Sequence, residues 1–238
     1  MNIFTTDKPI ELSEHMLSTY RTLRLTLVAV ALLLPWVLWL GGYYFSNGQL
    51  GLQSSMSAYY HTVMRNAFVG VLFAISGLLA AYKGYRPAEN VALNFAAVFA
   101  VLIAVFPSEA GSRWHGIFAV SFFLCIAYVC IFCASATLSL VSKGKQKRYR
   151  VIYKLLGMVM VVSPAIAAIL SEVLRLRSSY IFIAEAAGVY AFAAYWGVKT
   201  REIRETDADR KAAKGELQLE AGAGAADAVQ ELQVEPAV

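Results

Sequence analysis

The sequence predicts an all-α polytopic membrane protein, a bundle of about six transmembrane helices. Of its 238 residues, 58% are hydrophobic and only 16% are charged, whereas an average soluble domain carries about 25% charged residues. The charges lie between long uncharged stretches instead of being spread along the chain. This division is typical of membrane spans, because a charge at the centre of a bilayer costs roughly 2.5–3.5 kcal/mol even on insertion scales.

Six stretches reach or approach the roughly 20 apolar residues that a helix needs to cross the hydrocarbon core. In chain order they are 23–44, 62–82, 90–106, 115–141, 151–170 and 180–198. The second stretch is short in apolar residues and crosses only if it includes Arg65. The third ends at Pro107, which cannot continue a helix without the loss of a backbone hydrogen bond.

These stretches divide the chain into three predicted parts. Residues 1–22 form a cytoplasmic amphipathic lead-in on the membrane surface, since Met16, Leu17 and Tyr20 recur at helical spacing. Residues 23–199 form the six-span domain. Residues 200–238 form a cytoplasmic and largely disordered tail, rich in Ala, Gly, Glu and Gln and without aromatic residues from about Thr206 onward.

The basic residues predict the orientation. All but four of the 21 Lys and Arg residues fall on one side of the predicted membrane. The positive-inside rule places that side, with both termini, in the cytoplasm, and we expect the plasma (inner) membrane of a bacterium. Aromatic residues lie near the opposite ends of the spans, as in an interfacial belt. They are Trp36, Trp39, Tyr43, Tyr44, Tyr59, Tyr60 and Trp114.

The segment 143–154 is predicted to be a basic cytoplasmic loop. It contains Lys143, Lys145, Lys147, Arg148, Arg150 and Lys154. Each basic residue near an anionic leaflet contributes about 1 kcal/mol, so membrane lipids, and anionic inner-leaflet lipid at this loop, are the expected partners. The same charges also set the topology. Nucleic acid is not expected despite the net charge of +5, because the basic residues cluster at span ends. The oligomeric state is left open.

The predicted first outer loop, with the residue next to it, contains four of the six candidate ligand-binding residues. Ser57, Tyr60 and His61 lie in the loop, next to Arg65. One interpretation is a pocket for a lipid headgroup or another polar ligand. The other is an interfacial loop whose serines cap the second helix and whose tyrosines anchor it in the interface.

His115 and Glu185 complete the candidate site on the same outer side. A carboxylate inside a membrane is a functional candidate unless it serves only helix packing. Two His and one Glu form a known zinc set, but no spacing here is specific for a metal, and no metal or cofactor is expected. We favour a hydrogen bond between Glu185 and an imidazole, with Arg65 on a lipid phosphate.

The chain lacks residues that several classes of membrane enzyme require. The spacing of Ser57 and His61 resembles one element of the ceramidase-like metal hydrolases, which also need an intramembrane Asp and a His-x-x-x-His pair that this chain lacks. The spans also lack the Gly-x-Ser pattern of rhomboid-type proteases, and no phosphate-cradling Gly-Lys-Ser/Thr loop occurs. No catalytic residues are therefore assigned.

A set of short motifs resembles a known group. In order, they are the serine-bearing loop 54–57, Asn94 in a third span that ends at Phe106-Pro107, His115 followed by Phe122-Phe123, and Glu185 before a basic exit at Lys199 and Arg201. Together they resemble the DRAM-like and GPI-lipid-remodelling membrane proteins and related uncharacterised bacterial six-span proteins. The resemblance implies lipid handling or membrane scaffolding. That group tends to have Ser-Asp in the first outer loop, where this chain has Ser57-Ala58.

Three functions follow as hypotheses. The leading one is a non-enzymatic membrane protein that binds lipid or a membrane partner through an outer-facing polar pocket. The first alternative is a membrane-embedded lipid-modifying enzyme with His61, His115 and Glu185 as working groups. The second alternative is a small transporter or channel that uses Glu185.

Overall fold

The chain folds as a helical membrane bundle, which confirms the predicted fold class. The computed structural model describes residues 8–107, 113–173 and 179–217, and these ranges contain helices and no strands. The α-helices are α1 Lys8–Phe45, α2 Arg65–Ala81, α3 Pro87–Val105, α4 Trp114–Tyr128, α5 Lys143–Ala168, α6 Ser179–Thr206 and α7 Ala208–Ala213. Short 3-10 helices occur at Ser57–His61 and Ala134–Leu140, and π-helical turns at Val129–Cys133 and Ile169–Val173.

Five helices are long and apolar enough to cross a membrane. They are α1, α3, α4 with its continuation to Leu140, α5 and α6. Many of their large apolar side chains, such as Leu33, Phe132 and Leu155, point away from the bundle and are exposed. Such a surface suits lipid contact, and the chain is an integral membrane protein. The apolar helix α2 has only 17 residues, about 25 Å at 1.5 Å per residue.

The helices follow one another around the bundle, and α6 packs back against α1. We call the end that carries residues 46–64 the loop end. We call the end at which α1 begins and α6 ends the terminal end.

Close approach of the helices depends on small residues. A Cβ atom on Gly157 of α5 would lie 2.4 Å from Cγ1 of Ile131, and one on Gly188 of α6 would lie 2.5 Å from Oγ of Ser163.

Two predicted boundaries are wrong. Residues 8–22 are not a separate surface helix but the first turns of α1. Pro9 lies in the first turn, where proline is tolerated, and no Gly or Pro interrupts the chain between it and Pro35. The segment 143–154 is not a loop, because α5 begins at Lys143. Lys, Arg and Gln are good helix formers, so the basic stretch continues the helix into the polar region.

The first part of the predicted tail is ordered. Helix α6 continues to Thr206, Asp207 adopts a left-handed conformation with φ of 53°, and α7 follows. Ile203 and Ala208 are buried against the bundle. The part of the tail from residue 218 onward lies outside the described residues.

Candidate functional site

Loop 46–64 is docked onto the bundle by two hydrogen bonds to the start of α6. The Phe182 amide donates to the Ser54 carbonyl over 2.9 Å. The Met56 amide donates to Oε2 of Glu185 over 2.6 Å. Tyr59 is fully buried, and its ring centroid lies 6.1 Å from that of Phe182. The loop is therefore part of the folded bundle, and Glu185 is one of the groups that hold it there.

The loop serines and threonine satisfy the loop's own backbone. The Ala58 amide donates to Oγ of Ser55 over 3.0 Å, and the hydroxyls of Ser55 and buried Ser57 are 3.0 Å apart. The Thr62 hydroxyl donates to the Tyr59 carbonyl over 2.8 Å. The interpretation that the serines cap the second helix is wrong, since α2 begins after Met64 without a side-chain cap. They stabilise the 3-10 turn instead.

Tyr60 and Arg65 form a pair on the surface of the loop end. Nη2 of Arg65 donates to the Tyr60 hydroxyl over 2.7 Å, and the guanidinium carbon lies 4.5 Å from the centroid of the same ring. The Tyr60 ring also lies 5.3 Å from the exposed His61 ring. Arg65 is exposed, and its hydrogen bond and ring contact with Tyr60 hold the guanidinium at the surface of the loop end.

His115 fixes the start of α4 to the end of α3. Its ring is buried, and Nδ1 lies 2.8 Å from the Phe106 carbonyl oxygen. Because a carbonyl only accepts hydrogen bonds, Nδ1 carries the hydrogen. In the described part of the chain His115 and Glu185 thus bind different backbone groups, and no hydrogen bond joins them. Residues 108–112, including Glu109, lie outside the described ranges.

The candidate residues do not form a metal site within the described ranges. No group of three or more His, Cys, Asp or Glu side chains there is arranged to hold a metal ion.

The terminal end contains a second polar cluster, which the sequence analysis missed. Lys199 of α6 is buried, and its ammonium group donates three hydrogen bonds. The acceptors are Oε2 of Glu202 at 3.1 Å, Oγ1 of Thr137 at 2.7 Å and the Ala134 carbonyl at 3.0 Å. All three donors of the ammonium group are therefore used.

Glu202 is fully buried and is the centre of this cluster. Its carboxylate accepts hydrogen bonds from the hydroxyls of Thr137 and Tyr153 in addition to that from Lys199. These partners come from the continuation of α4, from α5 and from α6 itself. One buried carboxylate thus joins three consecutive spans.

The turn between α2 and α3 is fixed beside the cluster. Oε2 of buried Glu89 accepts from the Tyr85 amide over 2.9 Å, and Oδ1 of Asn90 accepts from the Gly84 amide over 2.6 Å. A Cβ atom on Gly84 would lie 2.2 Å from Cδ of Glu89, so the glycine makes room for the carboxylate. Oε1 of Glu89 is buried without a partner within the described ranges, as are the Tyr195 hydroxyl and Nε1 of Trp196.

Asp209 of α7 ties the chain beyond the last span to this end. It forms an ion pair with buried Arg24 of α1, with Nη2 and Oδ2 2.6 Å apart. The Tyr85 hydroxyl also donates to Asp209. Burial raises the pKa of that hydroxyl, and the negative charge of Asp209 raises it further. Tyr85 therefore stays protonated and can act as the donor.

One sequence signal could have identified the buried cluster. Glu202 follows Lys199 at i+3, which is the spacing of neighbours on one helix face, so the two opposite charges can be expected to pair.

Comparisons with family models, with curated proteins and with solved structures find no match for this chain. The class of protein is thus defined by its own fold and contacts, as a helical integral membrane bundle.

Glu185→Leu should destabilise the docked loop, because it leaves the Met56 amide without its acceptor. We expect a loss of about 1–3 kcal/mol in the free energy of unfolding and faster proteolysis within residues 46–64. Glu185→Gln keeps an acceptor oxygen and should cost less. Equal stability and protease resistance of the wild type and Glu185→Leu in detergent would contradict the anchoring role.

Proposed function

We propose that the protein crosses the bacterial plasma membrane six times, with both termini in the cytoplasm, and binds a lipid headgroup through the Tyr60–Arg65 pair on the outer face. It is proposed to act as a non-enzymatic, lipid-binding membrane protein, similar to the DRAM-like and GPI-lipid-remodelling group. His61, whose ring lies beside that of Tyr60, is proposed to line the same site, whereas the candidate residues Ser57, His115 and Glu185 are engaged with other groups of the loop and of the helix ends.

The six-span topology is supported by α2 together with the five longer helices. At about 25 Å, α2 is somewhat shorter than the roughly 30 Å hydrocarbon core, and local thinning or burial among neighbours accommodates a short span. If α2 crosses, α1 begins and α6 ends on the same side. That side then has most of the basic residues, in accordance with the positive-inside rule.

Single cysteines introduced into a variant without Cys125, Cys130 and Cys133 should report this topology. Cysteines that replace Gln49 or Arg113 should react with an impermeant thiol reagent in intact cells. Cysteines that replace Lys83, Gly144 or Lys214 should react only after permeabilisation. All five positions are exposed, and a Cβ atom at Gly144 meets nothing within 4 Å. Reaction of Lys83 and Gly144 variants from outside would exclude the proposed orientation.

Lipid binding is supported by the geometry of Arg65. The Tyr60 hydroxyl accepts a hydrogen bond from only one N–H group of Arg65. The other N–H groups of the guanidinium can therefore bind two oxygens of a phosphate. Exposed aromatic side chains surround the loop end, among them Trp36, Trp39, Tyr43, Tyr44 and Trp114. Such aromatic residues favour the headgroup level of a bilayer, which would put Arg65 at the depth of lipid phosphates.

The two alternatives receive less support from the contacts. Both assign chemistry or transport to Glu185, whose carboxylate accepts the Met56 amide hydrogen and holds the loop. An enzyme would also need His115, whose Nδ1 is engaged with the Phe106 carbonyl.

Arg65→Gln should weaken the binding of phosphatidylglycerol, because it removes charge-assisted hydrogen bonds worth about 1.5–3 kcal/mol each. We expect an affinity loss of roughly tenfold or more, and a smaller loss for Tyr60→Phe, which only frees the guanidinium. Native mass spectrometry of protein in detergent titrated with the lipid measures the bound fraction. Arg113→Gln, an exposed charge predicted on the same side, is the matched control. If Arg65→Gln and Arg113→Gln retain lipid equally, the pair is not the site.

A further inference from the structure

A cleft opens at the terminal end between the first turns of α1 and the last turns of α6, with α7 as its third wall. Its volume is about 260 Å³. Pockets for drug-sized ligands begin at about 300 Å³, so the cleft suits a small headgroup or ion better than a large molecule. It lies at the opposite end of the bundle from the Tyr60–Arg65 pair and is independent of it.

The two long helices each present one face to the cleft. On α1, the lining residues Glu14, Ser18 and Arg21 are spaced by four and three positions. On α6, Thr200 and Arg204 are spaced by four. Residues three or four apart lie on the same side of a helix. The cleft is therefore built into the packing of α1 against α6.

Two ion pairs hold its walls together and use two of its carboxylates. Arg24 pairs with Asp209 at 2.6 Å, and Arg210 pairs with Glu14 at 2.8 Å. Both pairs join α1 to α7. The charges of Asp209 and Glu14 are thus balanced by arginines that belong to the walls.

The remaining charge of the lining is positive. Arg21 and Arg204 are exposed, and neither forms an ion pair with another residue in the described ranges. Only Asp207 among the lining carboxylates stays unpaired beside them. In addition, Nε of Arg24, which also lines the cleft, is buried and has no hydrogen-bond partner among the described residues. Two arginines that line one opening, without an ion-pair partner in the described ranges, are suited to bind a phosphate group.

We propose that this cleft binds a phosphate group through the guanidinium groups of Arg21 and Arg204, with the Ser18 hydroxyl as a further donor. The phosphate can belong to an anionic lipid of the adjacent leaflet or to a soluble ion. The cleft lies where α1 changes from charged residues to the apolar run that follows Arg24. That is the depth of lipid headgroups, and a lipid phosphate is the favoured source.

The test uses the full chain with Arg65→Gln, so that the outer pair does not contribute. The protein is placed in nanodiscs of phosphatidylcholine, and two arms are run. In the first, phosphatidylglycerol replaces part of the phosphatidylcholine. In the second, inorganic phosphate is added to discs of phosphatidylcholine alone. Native mass spectrometry after release from the discs counts bound phosphatidylglycerol, and the thermal unfolding midpoint reports binding in both arms.

The cleft variant is Arg21→Gln with Arg204→Gln. The matched control is Lys211→Gln with Lys214→Gln, which removes the same charge from the neighbourhood of α7 but not from the cleft lining. Both variants keep the two wall ion pairs, so both should fold, and circular dichroism checks this.

We expect at least a tenfold loss of phosphatidylglycerol affinity in the cleft variant and less than a threefold loss in the control. Binding in the first arm alone identifies a lipid phosphate as the source. Binding of inorganic phosphate that the cleft variant abolishes identifies a soluble source. Equal losses in the two variants, or no binding by the parent protein in either arm, would overturn the cleft proposal. None of these results tests the role of Arg65, because Arg65 is replaced by Gln in all the proteins compared.

Discussion

Two opposite charges buried within the protein determine how its last three spans meet. Lys199 and Glu202 are almost completely removed from solvent. Burying a charge costs several kcal/mol even after relaxation, and the attraction of a pair offsets this only if the remaining hydrogen bonds are also made. Here they are made, by Thr137, Tyr153 and the Ala134 carbonyl. The pair therefore requires α4, α5 and α6 to take up one arrangement.

The irregular continuation of α4 fits this requirement. After Tyr128 the chain passes through a π-helical turn and a 3-10 helix, which leave carbonyls without regular helical partners. Irregular backbone near a membrane is tolerated where protein groups satisfy it, and Lys199 does so at Ala134. Helix α6 runs from this cluster to the loop end. There Glu185 holds Met56, and so the loop that presents Tyr60 and Arg65.

The sequence was sufficient for the parts of the fold that depend on hydropathy. The apolar stretches 90–106 and 180–198 lie almost entirely within α3 and α6, because a long apolar run has few alternatives to a span. It was insufficient where polar residues continue a helix, as at residues 8–22 and 143–154, since hydropathy marks those residues only as outside the membrane. The loop residues Tyr60 and Arg65 could be predicted as neighbours by their closeness in sequence. The Met56 partner of Glu185 and the Thr137 and Ala134 partners of Lys199 could not, because they lie 62 or more residues away in the sequence.

The free energy of unfolding shows whether the buried pair holds the last three spans together. Lys199→Met should lower the free energy of unfolding by about 3–5 kcal/mol, since it leaves the Glu202 charge buried without its partner. The double variant Lys199→Met with Glu202→Gln should lose less than the sum of the two single variants. Lys145 and Glu205 form an exposed pair at 3.2 Å, and Lys145→Gln should cost less than about 1 kcal/mol. Denaturant unfolding in mixed micelles gives the free energy of unfolding of all four variants. A Lys199→Met protein as stable as Lys145→Gln, with additive losses in the double variant, would show that the buried pair does not hold α4, α5 and α6 together.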